Sequence, residues 1–132
     1  MKELFFILLL ILMLIIAGCS DSNLNVEFGS YQDNKIVNEP RSDTPVIAIV
    51  TVKELTNVDG KIQASIITKV DDFQPTVNSF NNVKTNGTSL DSIPVFLNDK
   101  KLLKKGKHSV EVKVIDINAE KVYSGKYKVS VG

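Results

Sequence analysis

The chain has 132 residues, and its 16 Lys and Arg residues nearly balance its 15 Asp and Glu residues. A formal net charge of +1 provides no overall positive field, so composition disfavours nucleic-acid binding. The single cysteine, Cys19, excludes an intramolecular disulfide, so a folded domain in this chain must be stabilised by apolar burial instead of covalent cross-links.

The chain begins with a charged residue, Lys2, followed by an unbroken apolar run over residues 4–17. A charged start, an apolar stretch and small residues before a cleavage point are typical of a secretory signal peptide. The run is shorter than the roughly 20 apolar residues that a membrane-spanning helix requires, and polar residues follow it from Ser20. We therefore predict a signal-peptide helix over residues 1–18 in preference to an uncleaved spanning helix.

The end of the apolar run resembles the lipobox of bacterial lipoproteins, in which an aliphatic residue and two small residues precede a lipid-modified cysteine. The matching residues are Ile16, Ala17, Gly18 and Cys19. The resemblance implies that Cys19 carries the lipid, palmitate included, and becomes the mature N-terminus, which also removes an otherwise free thiol. Because each buried methylene contributes about 0.8 kcal/mol and two or three chains act together, we expect a firm anchor at the extracytoplasmic face of the cell membrane.

Small polar residues over 19–25 are typical of a flexible tether, here lipidated at its first residue. Residues 26–132 have the length of one compact domain. Within it, alternation over residues 26–31 predicts a first edge strand. Residues 33–44, rich in Asn, Asp, Ser and Pro, predict a loop.

The strongest strand signal is a β-branched run over residues 46–52, which is apolar on both faces at first. The turn sequence Asn-Val-Asp-Gly follows at residues 57–60. Ile62, Ala64 and Ile66 then alternate with polar residues. The pattern predicts an antiparallel hairpin between these two segments.

Residues 71–94 are less periodic and predict one or two short strands, and residues 93–97 predict another that is closed by a turn at 98–101. Alternation over 109–114 and 122–131, with a turn between them, predicts a second hairpin. The predicted core consists of Ile47, Ile49, Ile62, Ile66, Val110, Val112, Val114, Tyr127 and Val129.

Several short strands without a helical period predict an all-β fold, an antiparallel β-sandwich, because a single sheet would leave one apolar face in water. Residues 103–116 resemble the penultimate strand of bacterial immunoglobulin-like domains: Leu103 and Gly106 lead into His108, alternating valines follow, and Asp116 precedes the last hairpin. The resemblance implies an immunoglobulin-like sandwich of the kind that serves as a spacer or as an adhesive or binding module on cell surfaces. The turn at 118–120 lacks the glycine that such domains often have there.

The residues offer little for catalysis or metal binding. His108 is the only histidine, and a hydrolase needs a nucleophile, a base and an orienting group together, so we predict no catalytic residue and no cofactor. We expect His108 to be structural, with a polar atom bonded to a nearby backbone group. Zinc-ligand spacing and calcium-loop runs do not occur, so no metal site is predicted. Solvated turn carboxylates are expected at Asp59, Asp71, Asp72, Asp91, Asp99 and Asp116.

One local charge bias remains, a lysine run formed by Lys100, Lys101, Lys104, Lys105 and Lys107. It predicts a weak electrostatic patch that binds an anionic wall polymer or lipid headgroups. Each lysine near a negative surface contributes roughly 1 kcal/mol to such binding. The alternative is a soluble loop whose lysines discourage edge-to-edge strand pairing.

The sequence therefore predicts a monomeric, non-enzymatic binding or scaffolding module at the cell envelope. Its expected partners are the membrane, through the lipid on Cys19, and a cell-wall polymer or an envelope protein, with no nucleic acid. The alternative is an inhibitor or immunity-type module that binds an extracellular protein through exposed loops over residues 71–91. A small lipoprotein enzyme is disfavoured because no nucleophile is paired with a base.

Overall fold

The computed structural model describes residues 22–132, so the predicted signal-peptide helix over 1–18 and Cys19 lie outside the described residues. The described part consists of two antiparallel four-stranded sheets, which confirms the predicted all-β sandwich. Its strands are β1 (Leu24–Gln32), β2 (Lys35–Val37), β3 (Val46–Val52), β4 (Lys61–Val70), β5 (Thr76–Lys84), β6 (Leu90–Phe96), β7 (Gly106–Asp116) and β8 (Lys121–Val131), and a short 3₁₀ turn, Leu97–Lys100, follows β6.

The first sheet has the strand order β2-β1-β3-β6, and the second has the order β5-β4-β7-β8. Side chains from both sheets meet in one hydrophobic core. The edge-to-face contact between Phe28 of β1 and Tyr127 of β8, whose ring centroids lie 5.6 Å apart, joins the sheets across the sandwich. Aromatic pairs of this geometry add to the free energy of burial itself.

The sandwich has two ends, a near end and a far end. The near end is the end at which β1 begins at Leu24, β3 ends at Val52 and β7 ends at Asp116. The far end is the end at which β4 ends at Val70 and β7 begins at Gly106. The 11 residues of β7, at about 3.3 Å each, separate the two ends by about 33 Å.

The core contains most of the predicted residues. Ile62, Ile66, Val110, Val112, Val114 and Val129 are buried in it, and Tyr127 is half-buried against it. The facing predicted for Ile47 and Ile49 is wrong. Their neighbours Val46, Ala48, Val50 and Val52 face the core and are 0% exposed, and since strand side chains alternate between faces, Ile47 and Ile49 lie on the outer face of the first sheet.

Ile47 is nevertheless only 1% exposed, because aromatic side chains cover it from the outside. Tyr31 of β1 and Phe96 of β6 lie on the two strands that flank β3, and their ring centroids are 5.8 Å apart in an edge-to-face arrangement. The two rings therefore meet above β3. This second, smaller apolar cluster explains why β3 is apolar on both faces.

The predicted hairpin between residues 46–52 and 62–66 is wrong, because β3 and β4 lie in different sheets. The turn itself is present, with positive φ angles of 53° at Asp59 and 78° at Gly60, but only one residue pair closes across it. Leu55, which precedes the turn, is 2% exposed and packs in the core. Because Leu55 is buried in the core, the chain crosses from the first sheet to the second at this point. A hairpin would instead keep β3 and β4 in the same sheet.

The edge position predicted for the first strand is also wrong, because β1 pairs with β2 on one side and with β3 on the other. β2 forms inside the loop predicted over residues 33–44, after a turn in which Asp33 and Asn34 have positive φ angles. Gly29 makes the close approach of this segment possible, because a Cβ atom there would collide with the backbone carbonyl of Val37. The close contact between Gly29 and the Val37 backbone could not be predicted from the alternation of apolar and polar residues.

β1 begins at Leu24, which is 4% exposed and belongs to the core, two residues before the start predicted for the domain and inside the tether predicted over 19–25. Four residues therefore lie between Cys19 and the first strand. The predicted hairpin at the end of the chain is confirmed as β7 and β8, and the predicted strand over 93–97 is confirmed as part of β6.

Candidate functional site

The fold divides the predicted lysine patch. Lys100 places its Nζ atom 4.9 Å from the centroid of the Phe96 ring, which is a cation–π contact with the first sheet. Lys107 instead belongs to β7 of the second sheet, where it pairs with Ser130. The other three lysines are exposed in the connection between the 3₁₀ turn and β7: Lys101, Lys104 and Lys105.

His108 forms hydrogen bonds through both ring nitrogens. Its Nδ1 lies 2.6 Å from Oδ2 of Asp71, and its Nε2 lies 2.6 Å from the backbone carbonyl oxygen of Lys104. A carbonyl oxygen and an ionised carboxylate only accept hydrogen bonds, so both ring nitrogens must donate. The geometry therefore fits a positively charged imidazolium. We call these three groups the His108 clamp.

The clamp joins three segments at the far end: the connection after β4, the connection before β7, and β7 itself. Asp71 strengthens the attachment, because its Oδ1 accepts from the backbone N–H of Ser109 at 2.9 Å and its own backbone N–H donates to the Ser109 carbonyl at 2.8 Å. Two connections that are far apart in sequence are thus held to the start of one strand.

The same contacts shift the pKa values of both partners. The hydrogen bond from His108, followed by the backbone N–H of Ser109, lowers the pKa of Asp71 below its ordinary value. The hydrogen bond to Asp71, followed by that to the Lys104 carbonyl, raises the pKa of His108, and partial burial opposes both shifts. The His108 side chain is 12% exposed and that of Asp71 is 36% exposed, so solvent screens part of this interaction.

Asp71, His108 and Ser109 are the three residue types of a hydrolytic triad, but their arrangement is different. A triad requires the serine hydroxyl on the histidine nitrogen opposite the carboxylate. Here that nitrogen faces the Lys104 carbonyl, and the Ser109 hydroxyl accepts a hydrogen bond from Nζ of Lys128 at 2.7 Å. His108 therefore does not serve as a base for Ser109 in this geometry.

The outer face of the second sheet carries a lysine in each of four successive rows. Val110, Val112 and Val114 of β7 are buried, so the intervening residues of β7 point outward. The cross-strand rows are Lys107 with Ser130, Ser109 with Lys128, Glu111 with Lys126, and Lys113 with Ser124, and β4 adds Lys69 beside Glu111. We call the five lysines of these rows the basic face: Lys69, Lys107, Lys113, Lys126 and Lys128.

An open groove of about 440 Å³ lies on this face next to the His108 clamp. Its polar lining is formed by Lys69, Asp71, Ser109, Glu111, Lys126 and Lys128. Glu111 forms an ion pair with Lys113 at 3.2 Å, and Asp71 is bonded within the clamp. Three lysines therefore line the groove, and its two carboxylates already have cationic partners.

The prediction of a solvated turn carboxylate is wrong for Asp116. This residue ends β7, is 1% exposed, and accepts the backbone N–H of Thr56 through Oδ2 at 2.8 Å, while Oδ1 has no hydrogen-bond partner. Asp71 is likewise bonded and not simply solvated. Among residues 22–132, no group of three or more His, Cys, Asp or Glu side chains is placed to hold a metal ion.

Sequence reasoning missed four members of the basic face: Lys69, Lys113, Lys126 and Lys128. A signal existed for the last two, because they alternate with Tyr127 and Val129 and so had to lie on the polar side of a half-buried strand. Their proximity to Lys107 and Lys69 depends on the register of three strands, which alternation within one strand does not reveal.

Comparison of the chain with known protein families, with curated proteins and with solved structures gives no match. In the part of the chain that the structure describes, no helix has the length and apolar character needed to cross a membrane. Function therefore has to be inferred from the N-terminal sequence signals and from the geometry of the sandwich.

Proposed function

We propose that this protein is a membrane-anchored extracytoplasmic lipoprotein that acts as a non-enzymatic binding or scaffolding module at the cell envelope. The observation that carries the proposal is the lipobox-like sequence Ile16, Ala17, Gly18 and Cys19 at the end of the apolar run. The folded domain begins a short distance after it. Four residues separate Cys19 from Leu24, and an extended chain spans at most about 3.5 Å per residue. A lipid on Cys19 therefore holds the near end within about 17 Å of its attachment point.

In the proposed arrangement the near end faces the membrane and the far end points away from it. When the sandwich stands on its near end, about 33 Å of strand length separates the far end from the membrane side. The Debye length at physiological ionic strength is only about 8 Å, so in this arrangement salt screens the far-end lysines from the headgroups of the anchoring membrane. Of the two targets predicted for these lysines, the geometry favours one that lies beyond the membrane.

We further propose that the sandwich is immunoglobulin-like. If the short β2 is set aside, the first, second and fifth strands (β1, β3 and β6) share one sheet, and the third, sixth and seventh (β4, β7 and β8) share the other. This division of strands is that of the immunoglobulin fold. The fourth strand, β5, pairs with β4, whereas in constant-type domains the fourth strand joins the opposite sheet.

The non-enzymatic part of the proposal is supported by the His108 clamp. Both nitrogens of the histidine are committed to Asp71 and to the Lys104 carbonyl, so the ring is placed to fasten three segments together. Fixing loops in this way suits a domain whose role is to present a rigid surface to a partner.

A second candidate, the inhibitor or immunity-type module, is favoured by one observation. The segment expected to form its binding loops contains the edge strand β5. Two large apolar side chains of this segment are open to solvent, Phe73 at 49% and Val77 at 61% exposed. An exposed edge strand with apolar side chains is able to pair with a strand of another protein. Such a partner would be captured at a defined stoichiometry.

Replacement of the predicted lipidation site tests the proposal. In a bacterial expression host that processes lipoproteins, we expect mass spectrometry of the wild-type protein to find a diacylated or triacylated Cys19 at the mature N-terminus, with the protein in the membrane fraction. Cys19→Ala should abolish lipidation and that processing step, and the neighbouring Ser20→Ala serves as the control that retains both. Membrane retention and processing of Cys19→Ala identical to wild type would show that the apolar run itself is the anchor and that the lipoprotein assignment is wrong.

A further inference from the structure

The charge of this chain is unevenly distributed. Residues 22–99 contain six basic and ten acidic side chains, whereas residues 100–132 contain nine lysines and three acidic side chains. The near-zero net charge therefore conceals a basic C-terminal quarter of the chain, and β7 and β8 place part of it on a single sheet face. A local surface of one sign attracts polyanions even when the whole protein is almost neutral.

The basic face has a regular spacing. Outward-facing residues on one strand are two positions apart, so successive rows lie about 6.7 Å from each other. From Lys107 through Lys128 and Lys126 to Lys113, one lysine occupies each row, on either β7 or β8, which are about 4.8 Å apart. The four rows thus form a track of ammonium groups about 20 Å long that runs along the strands. Its one carboxylate, Glu111, is paired with Lys113 at the end of the track.

The composition of the face indicates the chemistry of its ligand. Lysine binds phosphate oxygens as a compact point charge with three donors, whereas arginine holds either a carboxylate or a phosphate through two parallel bonds of fixed geometry. The basic face contains no arginine, and the only arginine of the chain, Arg41, is paired with Asp43 at 3.2 Å in the first half of the domain. The Lys128 ammonium is also positioned by its hydrogen bond to Ser109 at the groove.

From these observations we infer that the basic face binds a linear, phosphate-bearing polyanion located outside the membrane, with the polymer lying along β7 and β8 and crossing the groove. This inference deepens the proposed function and relies on it for the direction in which the far end points. A linear chain with one charge per unit contacts lysines in successive rows without bending, which suits an extended polymer better than a compact anion.

Binding of labelled long-chain inorganic polyphosphate to the full-length lipidated protein in neutral phosphatidylcholine vesicles tests the inference. The test variant is the double substitution Lys126→Gln/Lys128→Gln on the basic face. The matched control is Lys53→Gln/Lys61→Gln, which removes the same charge from two exposed lysines at the near end. Circular dichroism and thermal melting verify that both variants fold.

We expect the basic-face variant to bind polyphosphate roughly tenfold more weakly and to reduce the slope of log affinity against log salt by about 1.4, the value for two lost contacts with a single-stranded polyanion. The near-end control should stay within twofold of wild type. Equal weakening by both variants, no polyphosphate binding by the wild type, or equally tight binding of polyglutamate would each overturn the inference. Tighter binding of protein-free anionic vesicles than of polyphosphate would also overturn it and assign the face to lipid headgroups.

Flotation of the protein with the neutral vesicles separates this result from the test of the anchor. Protein that fails to float refutes the lipid anchor, while its binding of polyphosphate is still measured in the unfloated fraction. If the protein floats but does not bind polyphosphate, the proposed function stands and the inference about the basic face is refuted.

Discussion

The near end and the far end of the sandwich are closed by different kinds of contact. At the near end, side chains that are almost fully buried bond to backbone groups of the crossing connections: Asp116 accepts from the Thr56 N–H, and the Tyr123 hydroxyl donates to the Glu54 carbonyl, each at 2.8 Å. At the far end, the His108 clamp joins the connections through a partly exposed ion pair. The difference shows that one end depends mainly on desolvated hydrogen bonds and the other on an ion pair in which the carboxylate of Asp71 raises the pKa of His108.

The largest expected effects come from apolar anchors, and they should be similar at both ends. Leu55 in the near-end connection is 2% exposed, and Leu103 in the far-end connection is 3% exposed. Leu55→Ala and Leu103→Ala should each lower the free energy of unfolding by about 2–5 kcal/mol, because each leaves a cavity in the core. Urea denaturation measures both. A loss under about 1 kcal/mol for either leucine would mean that its connection is not packed into the core in solution.

An intermediate effect is expected at Asp116, where the near end has its buried carboxylate. Asp116→Ala removes the acceptor of the Thr56 N–H and should cost about 1–3 kcal/mol of the free energy of unfolding. Asp116→Asn retains an accepting oxygen and serves as the matched control, and we expect it to be as stable as wild type. Equal losses in both variants would show that the carboxylate charge, and not the hydrogen bond, holds the near-end connection.

The smallest effect, and the one that separates the two ends, is the pH dependence of the His108 clamp. Because folding raises the pKa of His108, its stabilisation is complete below the ordinary value of 6.5 and is lost as pH rises through the raised pKa. Because folding lowers the pKa of Asp71, its stabilisation is present above the ordinary value of 3.8 and is lost as pH falls through the lowered pKa. The clamp is therefore fully effective between about pH 4 and 6.5.

Urea titrations of wild type and His108→Phe across pH 4–9 check this window. We expect the two proteins to differ by about 1 kcal/mol near pH 5–6, after allowance for solvent screening, and the difference to shrink at high pH. Asp72→Asn, at an exposed aspartate next to the clamp, is the control and should follow the wild-type profile. Parallel profiles for wild type and His108→Phe would remove the clamp as the pH-sensitive element.

Much of the local structure was predictable because it depends on period and turn chemistry. Alternation with a period of two located β4, β7 and β8, and the turn at Asn98 and Asp99 was predictable because Asn and Asp tolerate the positive φ angles observed there, 50° and 53°. The resemblance of residues 16–19 to a lipobox is readable for the same reason, since the four residues are contiguous in the chain. Lipidation of Cys19 and location at the envelope stay predictions of this kind.

The tertiary structure determined how segments that are distant in the sequence pair and pack with each other. The sequence of β3 is compatible with pairing to β4 and equally with pairing to β1 and β6. The burial of Leu55 and the aromatic cover on Ile47 favour the pairing with β1 and β6 that is observed. Asp116 was predictable as a polar residue near a turn, but its burial depends on the Thr56 backbone 60 positions away.

The same division between local and tertiary information applies to the candidate site. Alternation along β7 and β8 determined that Lys107, Lys126 and Lys128 face away from the core, whereas the strand register alone aligned them with Lys69 into one basic face. The physical reason is that side-chain period is a property of one strand, while register is set by contacts summed over the whole sheet.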